Sequence, residues 1–288
     1  MKNLRQLKDL IRNMAREKGI NAQILLRNYM LERLLERIAL SKFRDNFVLK
    51  GGMLVAAVVG IDIRSTIDMD ATIKSYPLSL ETVREIFSSI LSVTVDDGVT
   101  IVLKDAVEIR DEADYSGVRV SLEARLDDAR IPLKVDITAG DAITPKEVLY
   151  RFDLLLEHRS IDILAYNIET VIAEKLETIL ARGIANSRMR DFYDLYILLK
   201  LRGQAIDAKT LTEAVKATAL RRGTIDLLLD GETIFEEIFA DKNMYESWVK
   251  YQKKYTYADD ISWDDVKNVV FQLWDMTDFN LPAGKSPS

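Results

Sequence analysis

Two aspartates, Asp68 and Asp70, stand two residues apart in Arg64-Ser65-Thr66-Ile67-Asp68-Met69-Asp70, inside a stretch from Ser65 to Ile73 with the pattern of a strand. On a strand, residues two apart point the same way. Both carboxylates therefore leave one face, while Ile67, Met69 and Ala71 turn to the other. Adjacent carboxylates repel unless something neutralises them, and a divalent cation does so while bridging phosphate oxygens.

Upstream, an apolar run from Asn46 enters Lys50-Gly51-Gly52 and leaves again toward Gly60. Glycine has no Cβ, so a Gly-Gly pair lets backbone amides come close enough to cradle a phosphate. Downstream, Asp136 is centred in Leu133-Lys134-Val135-Asp136-Ile137, where alternation puts Lys134 and Asp136 on one face and Val135 and Ile137 on the other. Alone, the Gly-Gly pair is weak evidence, the Asp68/Asp70 pair reads more readily as a solvated edge-strand pair, and Asp136 reads equally well as a surface strand residue. Together they describe three carboxylates on neighbouring strands beside a phosphate-binding turn.

Composition narrows the chemistry. The 288 residues include no cysteine and one histidine, His158, which excludes thiol nucleophiles, disulfides and thiolate metal sites and leaves little room for imidazole ligation. A metal must be held by carboxylates, which suits magnesium or manganese. With 48% hydrophobic residues the chain can bury one large core or two smaller ones. No run approaches the roughly 20 apolar residues of a membrane span, and no signal peptide is evident, so a cytoplasmic protein is expected. The net charge of −6 is uneven: residues 1 to 50 carry 12 Lys or Arg against 5 Asp or Glu. That basic end either faces an anionic partner or is a solvated helix surface.

Apolar residues from Leu4 to Ile38 recur at helical spacing, broken at Gly19-Ile20-Asn21, and predict two helices. Strand patterns at Ser65–Ile73, Val99–Leu103, Val118–Leu122 and Leu133–Ile137 predict a mixed sheet. After Thr144-Pro145 helical periodicity is expected to continue to about Trp274. This gives an α+β fold: residues 1–144 hold the N-terminal helices and the sheet core, residues 145–288 a helical domain that completes the active-site cleft, and the tail from about residue 281 is expected to be disordered.

In the helical half, Lys175 lies inside the apolar arc of Ile168, Val171, Ile172, Leu176, Ile179 and Leu180. Its ammonium either snorkels to water, the reading that the pattern favours, or meets an anion. In Arg188-Met189-Arg190-Asp191-Phe192-Tyr193-Asp194-Leu195-Tyr196, Asp191 falls on the apolar side, where a helix N-terminus also favours an acid. Asp194 falls nearer the polar gap, in range of a surface pair with Arg190. The aromatic and basic residues from Tyr245 to Tyr257 offer bases a stacking surface, yet their helical spacing favours packing. His158 has no motif partner and is expected to be structural or exposed.

The order Gly-Gly, Arg-x-Thr-x-Asp-x-Asp, then an isolated strand aspartate resembles the nucleotidyltransferase superfamily of DNA polymerase β type. Leu49-Lys50-Gly51-Gly52, the Glu174-Lys175-Leu176 helix and Arg190-Asp191-x-x-Asp194-Leu195 are similar to the AbiEii toxins, with motif order and approximate spacing kept over roughly residues 30 to 200. Met53 departs from the Thr or small residue that the family often places after the second glycine. The resemblance implies a nucleotidyltransferase-like sheet and two-magnesium nucleotidyl transfer. Asp68, Asp70 and Asp136 would be its metal ligands, and Lys50, Gly51, Gly52, Arg64, Thr66 and Lys175 its nucleoside triphosphate contacts. Asp191 or Asp194, with Asp191 favoured, would order Lys175 or assist catalysis. It further implies an RNA acceptor, plausibly the 3′ end of tRNA, and a separately encoded antitoxin protein. A nucleotidyltransferase acting on protein or a small molecule, and a non-catalytic nucleotide-binding protein on the same fold, are the alternatives.

Overall fold

The structure, a computed structural model, describes residues 4–110 and 116–280. It opens with α1 (Leu4–Lys18) and α2 (Ala22–Leu40), the pair that the Gly19 break predicts. Asn21 caps α2 by accepting from the Gln23 amide. There follow β1 (Phe47–Lys50), α3 (Gly51–Val59), β2 (Met69–Ile73), α4 (Leu80–Leu91), β3 (Thr100–Arg110), β4 (Ser116–Leu126), β5 (Ala129–Ala139), β6 (Val148–Asp153) and β7 (Ser160–Ala165). The helices α5 (Ile168–Arg182), α6 (Met189–Arg202), α7 (Ala208–Arg222), α8 (Gly231–Ala240), α9 (Lys242–Lys254) and α10 (Trp263–Asp275) complete the chain. The expected disordered tail lies in residues 281–288, outside the described residues. No helix among the described residues is long and apolar enough to cross a membrane.

The fold is α+β, as expected. The chain divides into two compact units: residues 1–141 with 147–166, and residues 142–146 with 167–288. The first unit holds a seven-stranded mixed sheet in the order β3-β4-β5-β2-β1-β7-β6. β5 pairs with β2 and β1 with β7 in parallel, and the remaining neighbours are antiparallel. The apolar side of β4 and β5 (Val118, Val120, Leu122, Leu133, Val135, Ile137) is buried. Helix α2 packs on β5 and β7, and α4 on β3. The opposite side of β5 carries Lys134 and Asp136, as the alternation predicts.

One expectation fails here. Residues 148–165 are not helical but form β6 and β7, and they stay with the sheet rather than with the helices beyond residue 145. The physical reason is an alternation too short to stand out: Phe152 and then Ile161, Ile163 and Ala165 are buried, between exposed Arg151, Asp153 and Asp162. β7 is needed inside because β1 would otherwise present an unpaired edge.

The basic N-terminal region is partly internal. Arg33 and Arg37 of α2 are buried, Arg33 with Glu157 at 2.7 Å and Glu36 at 3.2 Å, Arg37 with Asp97 at 2.7 Å. Burial without such partners would be prohibitive for a guanidinium. The exposed excess is confined mostly to α1, through Arg5, Lys8, Arg12, Arg16 and Lys18.

In the second unit α5 packs against α7 and α6, and α6 against α10 and α9. The aromatic run near the C-terminus belongs to this packing. Trp248 is buried, stacks on Tyr251 with centroids 5.4 Å apart, and donates from Nε1 to the Ile261 carbonyl. Only Tyr245 of that run is markedly exposed.

Candidate active site

Strand register builds the site. Arg119 of β4 lies opposite Asp136 of β5, Asp136 opposite Asp70 of β2, and Asp70 opposite Lys50 of β1. Directly paired residues share a face, so four neighbouring strands present one row of charge: plus, minus, minus, plus. Asp68 stands just before β2, in a bend rather than in the strand that the sequence predicts from Ser65. The row still acts on it, since Lys134, Asp136, Arg27 and Arg119 all bear electrostatically on its carboxylate.

The glycines have a specific steric reason. Gly51 sits at φ +63°, and a Cβ there would collide with the Asp70 carboxylate. Only glycine takes that backbone conformation at little cost and leaves that space. The Gly52 amide, in the first turn of α3, donates to Asp70 Oδ2 at 3.3 Å. A Cβ on Gly52 would stand 2.9 Å from Thr66 Oγ1 and 3.0 Å from an Arg64 guanidinium nitrogen. Arg64 and Thr66, both buried, are therefore packed against the glycine turn, and Asn28 of α2 holds their loop by donating to the Thr66 carbonyl at 2.7 Å. The first-turn amides of α3, which have no partner within the helix, carry the partial positive charge of a helix N-terminus.

Lys50 closes the row at the other end, paired with an aspartate that no sequence motif marks. Its ammonium donates to Asp141 Oδ2 at 2.7 Å, and the same oxygen accepts from Thr138 Oγ1 at 2.6 Å and Tyr166 Oη at 2.8 Å. Asp141 lies in the loop after β5, where no periodicity marks it; its following a glycine, Gly140, is the only local signal.

Charge and burial set the titration of these groups. Burial pushes the Asp70 carboxyl up, with Asp136 and Asp68 adding to it, against the pull of Lys50 and the Gly52 amide. Burial likewise raises Asp68, opposed first by Lys134. Asp141 goes the other way: burial is outweighed by Lys50 and three hydrogen bonds, and its carboxyl falls to about 2.

A hard divalent cation fits this donor chemistry, because Asp68, Asp70 and Asp136 offer carboxylate oxygens alone, and partial burial holds the first two carboxyls above their ordinary values, a cost that a bound cation relieves. Among the described residues no three His, Cys, Asp or Glu side chains are presented together as a ready metal site. Both oxygens of Asp136 are taken by Arg119, at 2.8 Å from Nε and 2.7 Å from Nη2.

In the helical unit Lys175 neither snorkels nor stands open. It is buried and paired with Asp191 at 2.8 Å and Asp194 at 2.7 Å. Burial works to lower its pKa, the two carboxylates outweigh it, and the ammonium ends above the ordinary lysine value. Asp194 is not at a polar surface: it is fully buried. The expected partner Arg190 instead donates to Tyr255 Oη at 3.0 Å. The apparent polar gap of α6 faces Lys175 on α5, which a single-helix projection cannot reveal. His158 is exposed, in the turn between β6 and β7.

Residues 33–269 match the family model described as nucleotidyl transferase AbiEii toxin, type IV toxin-antitoxin system. Curated protein sequences give no match. Among solved structures, the chain is similar to MenT4, a nucleotidyltransferase toxin of Mycobacterium tuberculosis, with 16% identity, a TM-score of 0.57, and 92% of this chain and 98% of that one covered. It is also similar to an H. pylori protein described as a candidate nucleotidyltransferase, with 18% identity, a TM-score of 0.50, and 89% and 94% covered. At these identities the structural likeness is one of fold.

Proposed function

The chain belongs to the AbiEii nucleotidyl transferase toxin family of type IV toxin-antitoxin systems, and we propose that it transfers a nucleotide from a nucleoside triphosphate to an RNA acceptor, the 3′ end of a tRNA. The observation that carries this reading is the row Arg119, Asp136, Asp70, Lys50 beside Asp68 and the Gly51-Gly52 turn. Such a row meets a substrate that is anionic and a reaction in which negative charge moves.

The acceptor's hydroxyl oxygen forms a bond to the α-phosphorus of the donor. The bond from that phosphorus to the α–β bridging oxygen breaks, and pyrophosphate leaves with its electrons. Asp136 takes the hydroxyl proton. Asp68, Asp70 and Asp136 would hold magnesium or manganese, which when bound supplies positive charge against the triphosphate. The amides of Gly51 and Gly52 hold phosphate oxygens, Lys50 adds charge at the same turn, and Arg64 with Thr66 keeps that turn in place. For the helical unit the reading is narrower: Asp191 and Asp194 order the ammonium of Lys175, the cation of that unit suited to phosphate. A separately encoded antitoxin and cytoplasmic growth arrest complete the proposal.

The test is incubation of the protein with total tRNA, magnesium and each labelled nucleoside triphosphate in turn, beside Asp68→Ala. Label on RNA that depends on Asp68 is the expected result. Label on protein instead moves the function to protein modification, and no transfer to any acceptor leaves the catalytic reading without support.

A further inference from the structure

The third acid of the row is already engaged by a cation of the protein's own. Arg119 meets Asp136 fork to fork, Nε to Oδ1 at 2.8 Å and Nη2 to Oδ2 at 2.7 Å, so both carboxylate oxygens accept from it. The pair joins register partners on adjacent antiparallel strands, which brings the two side chains out of the sheet side by side. Asp68 and Asp70 also act on the same guanidinium. Yet this is not a buried structural pair, for the Arg119 side chain is 42% exposed and that of Asp136 24%. Water can reach both groups of this pair, so the guanidinium exchanges one anionic partner for another more readily than it would in a buried pair.

We propose that Arg119 is a built-in counter-ion that competes with the divalent cation for Asp136 and, once displaced, becomes a contact to the donor's phosphate oxygens. A planar guanidinium recognises phosphate with the same two-pronged geometry it uses on carboxylate. Its position on β4, one strand from Asp136 and two from Asp70, keeps it beside the acids after release. The acid row therefore stays neutralised while empty, and the arginine's charge is transferred to the substrate when the row is filled. This inference rests on the nucleotidyl-transfer reading above.

The experiment measures Mn2+ binding by the full chain without nucleotide, from loss of the free-ion electron paramagnetic resonance signal, in wild type, Arg119→Gln, Arg119→Lys and Asp136→Asn. Removing the competing charge is expected to tighten Mn2+ binding about tenfold in Arg119→Gln, the size of effect one nearby charge has on a carboxylate. The same variant is expected to raise the donor KM at least about tenfold, the loss of one charged phosphate interaction. Arg119→Lys keeps charge but not the fork; it should tighten Mn2+ binding less and still raise the donor KM. Asp136→Asn should weaken Mn2+ binding. Unchanged or weaker Mn2+ binding in folded Arg119→Gln, or in Arg119→Lys should the glutamine variant not fold, overturns the counter-ion role while leaving transfer intact in wild type. Absence of both Mn2+ binding and transfer in wild type overturns the underlying reading as well.

Discussion

Lys50 and Asp141 form a 2.7 Å ion pair whose side chains are only 11% and 5% exposed, tying the end of β1 to the loop after β5. The pair sets the far end of the charge row, because Lys50 also faces Asp70. Asp141→Asn would take from the buried ammonium the carboxylate it binds at 2.7 Å, with Asp70 still acting on it. A loss of about 2–3 kcal/mol is expected, somewhat below the usual cost of orphaning a buried charge, since Asp70 compensates in part. Urea unfolding at pH 7 measures it; an unchanged midpoint would show that the pair does not support the sheet.

The same carboxyl gives an acid limb. Its folded pKa, about 2, lies below the ordinary 3.8. A depressed carboxylate contributes stability that is present above its unfolded value and is lost as pH falls through the folded one. Between pH 4 and pH 2 the wild type should therefore lose stability faster than Asp141→Asn, the two curves converging at the acid end. Parallel curves in circular dichroism titrations would contradict this.

Gly51→Ala and Gly52→Ala separate backbone need from space. The first substitution meets both a positive φ and the Asp70 carboxylate, the second only Thr66 and Arg64 side-chain ends. Backbone strain alone costs about 1–2 kcal/mol at the first position. Displacing Asp70 should lower nucleotidyl transfer at least about a hundredfold, the scale of losing a positioned catalytic group. Gly52→Ala should retain more activity and more stability than Gly51→Ala, and the reverse order in a labelled-nucleotide assay would refute the steric account.

Period-two alternation made Asp70 and Asp136 legible in the sequence, because a strand with one packed face leaves its other face readable. Which residues stand across from them was not legible: Arg119 sits between Val118 and Val120 as any surface residue does until register places it on Asp136. Asp141 carries no such signal because a loop has no period to read. Asp68 was placed in a strand that begins one residue later, at Met69. In α6, helical projection places Asp191 on the packed side, where it is buried, but places Asp194 at the surface, although it too is buried, because a projection knows only one helix. β6 and β7 escape a sequence reading because neither has an alternation long enough to stand out from helical periodicity.

Lys175→Met tests the buried triad of the helical unit. The substitution leaves Asp191 and Asp194 without their shared cation, and Asp194 has no solvent exposure. Removing the shared cation from such a cluster costs about 3–5 kcal/mol. Either Asp191→Asn or Asp194→Asn should cost less, because Lys175 keeps one carboxylate. Since the folded lysine pKa is raised, the stabilisation is present below the ordinary 10.5 and lost as pH rises through the folded value. Thermal unfolding of the three variants at pH 8 gives the order; a methionine variant as stable as wild type would remove the ion triad from the list of stabilising features.

Glu32 supplies a pH dependence of the opposite sense to that of Asp141. It is buried on α2, and both of its oxygens stand 3.1 Å from the Leu155 amide in the turn that follows β6. Burial pushes its carboxyl up to about 8, against the Leu155 amide and Arg33, which favour the charged form. A carboxyl raised on folding contributes stability that is fully present below its unfolded value, near 4.5, and is lost as pH rises through the folded one. The reason is that the unfolded chain releases this proton first, so folding above pH 4.5 must take a proton up. Glu32→Gln keeps the shape and an acceptor for the Leu155 amide but cannot ionise. The difference in unfolding free energy between variant and wild type should therefore widen in the variant's favour from pH 5 to pH 8 and level off beyond it, approaching a slope of one proton within that window. Asp68 and Asp70, which burial also raises, titrate in both proteins and cancel in the difference. A pH-independent difference from urea titrations at pH 5, 6.5, 8 and 9 would mean that Glu32 folds ionised, held by Arg33 and the Leu155 amide.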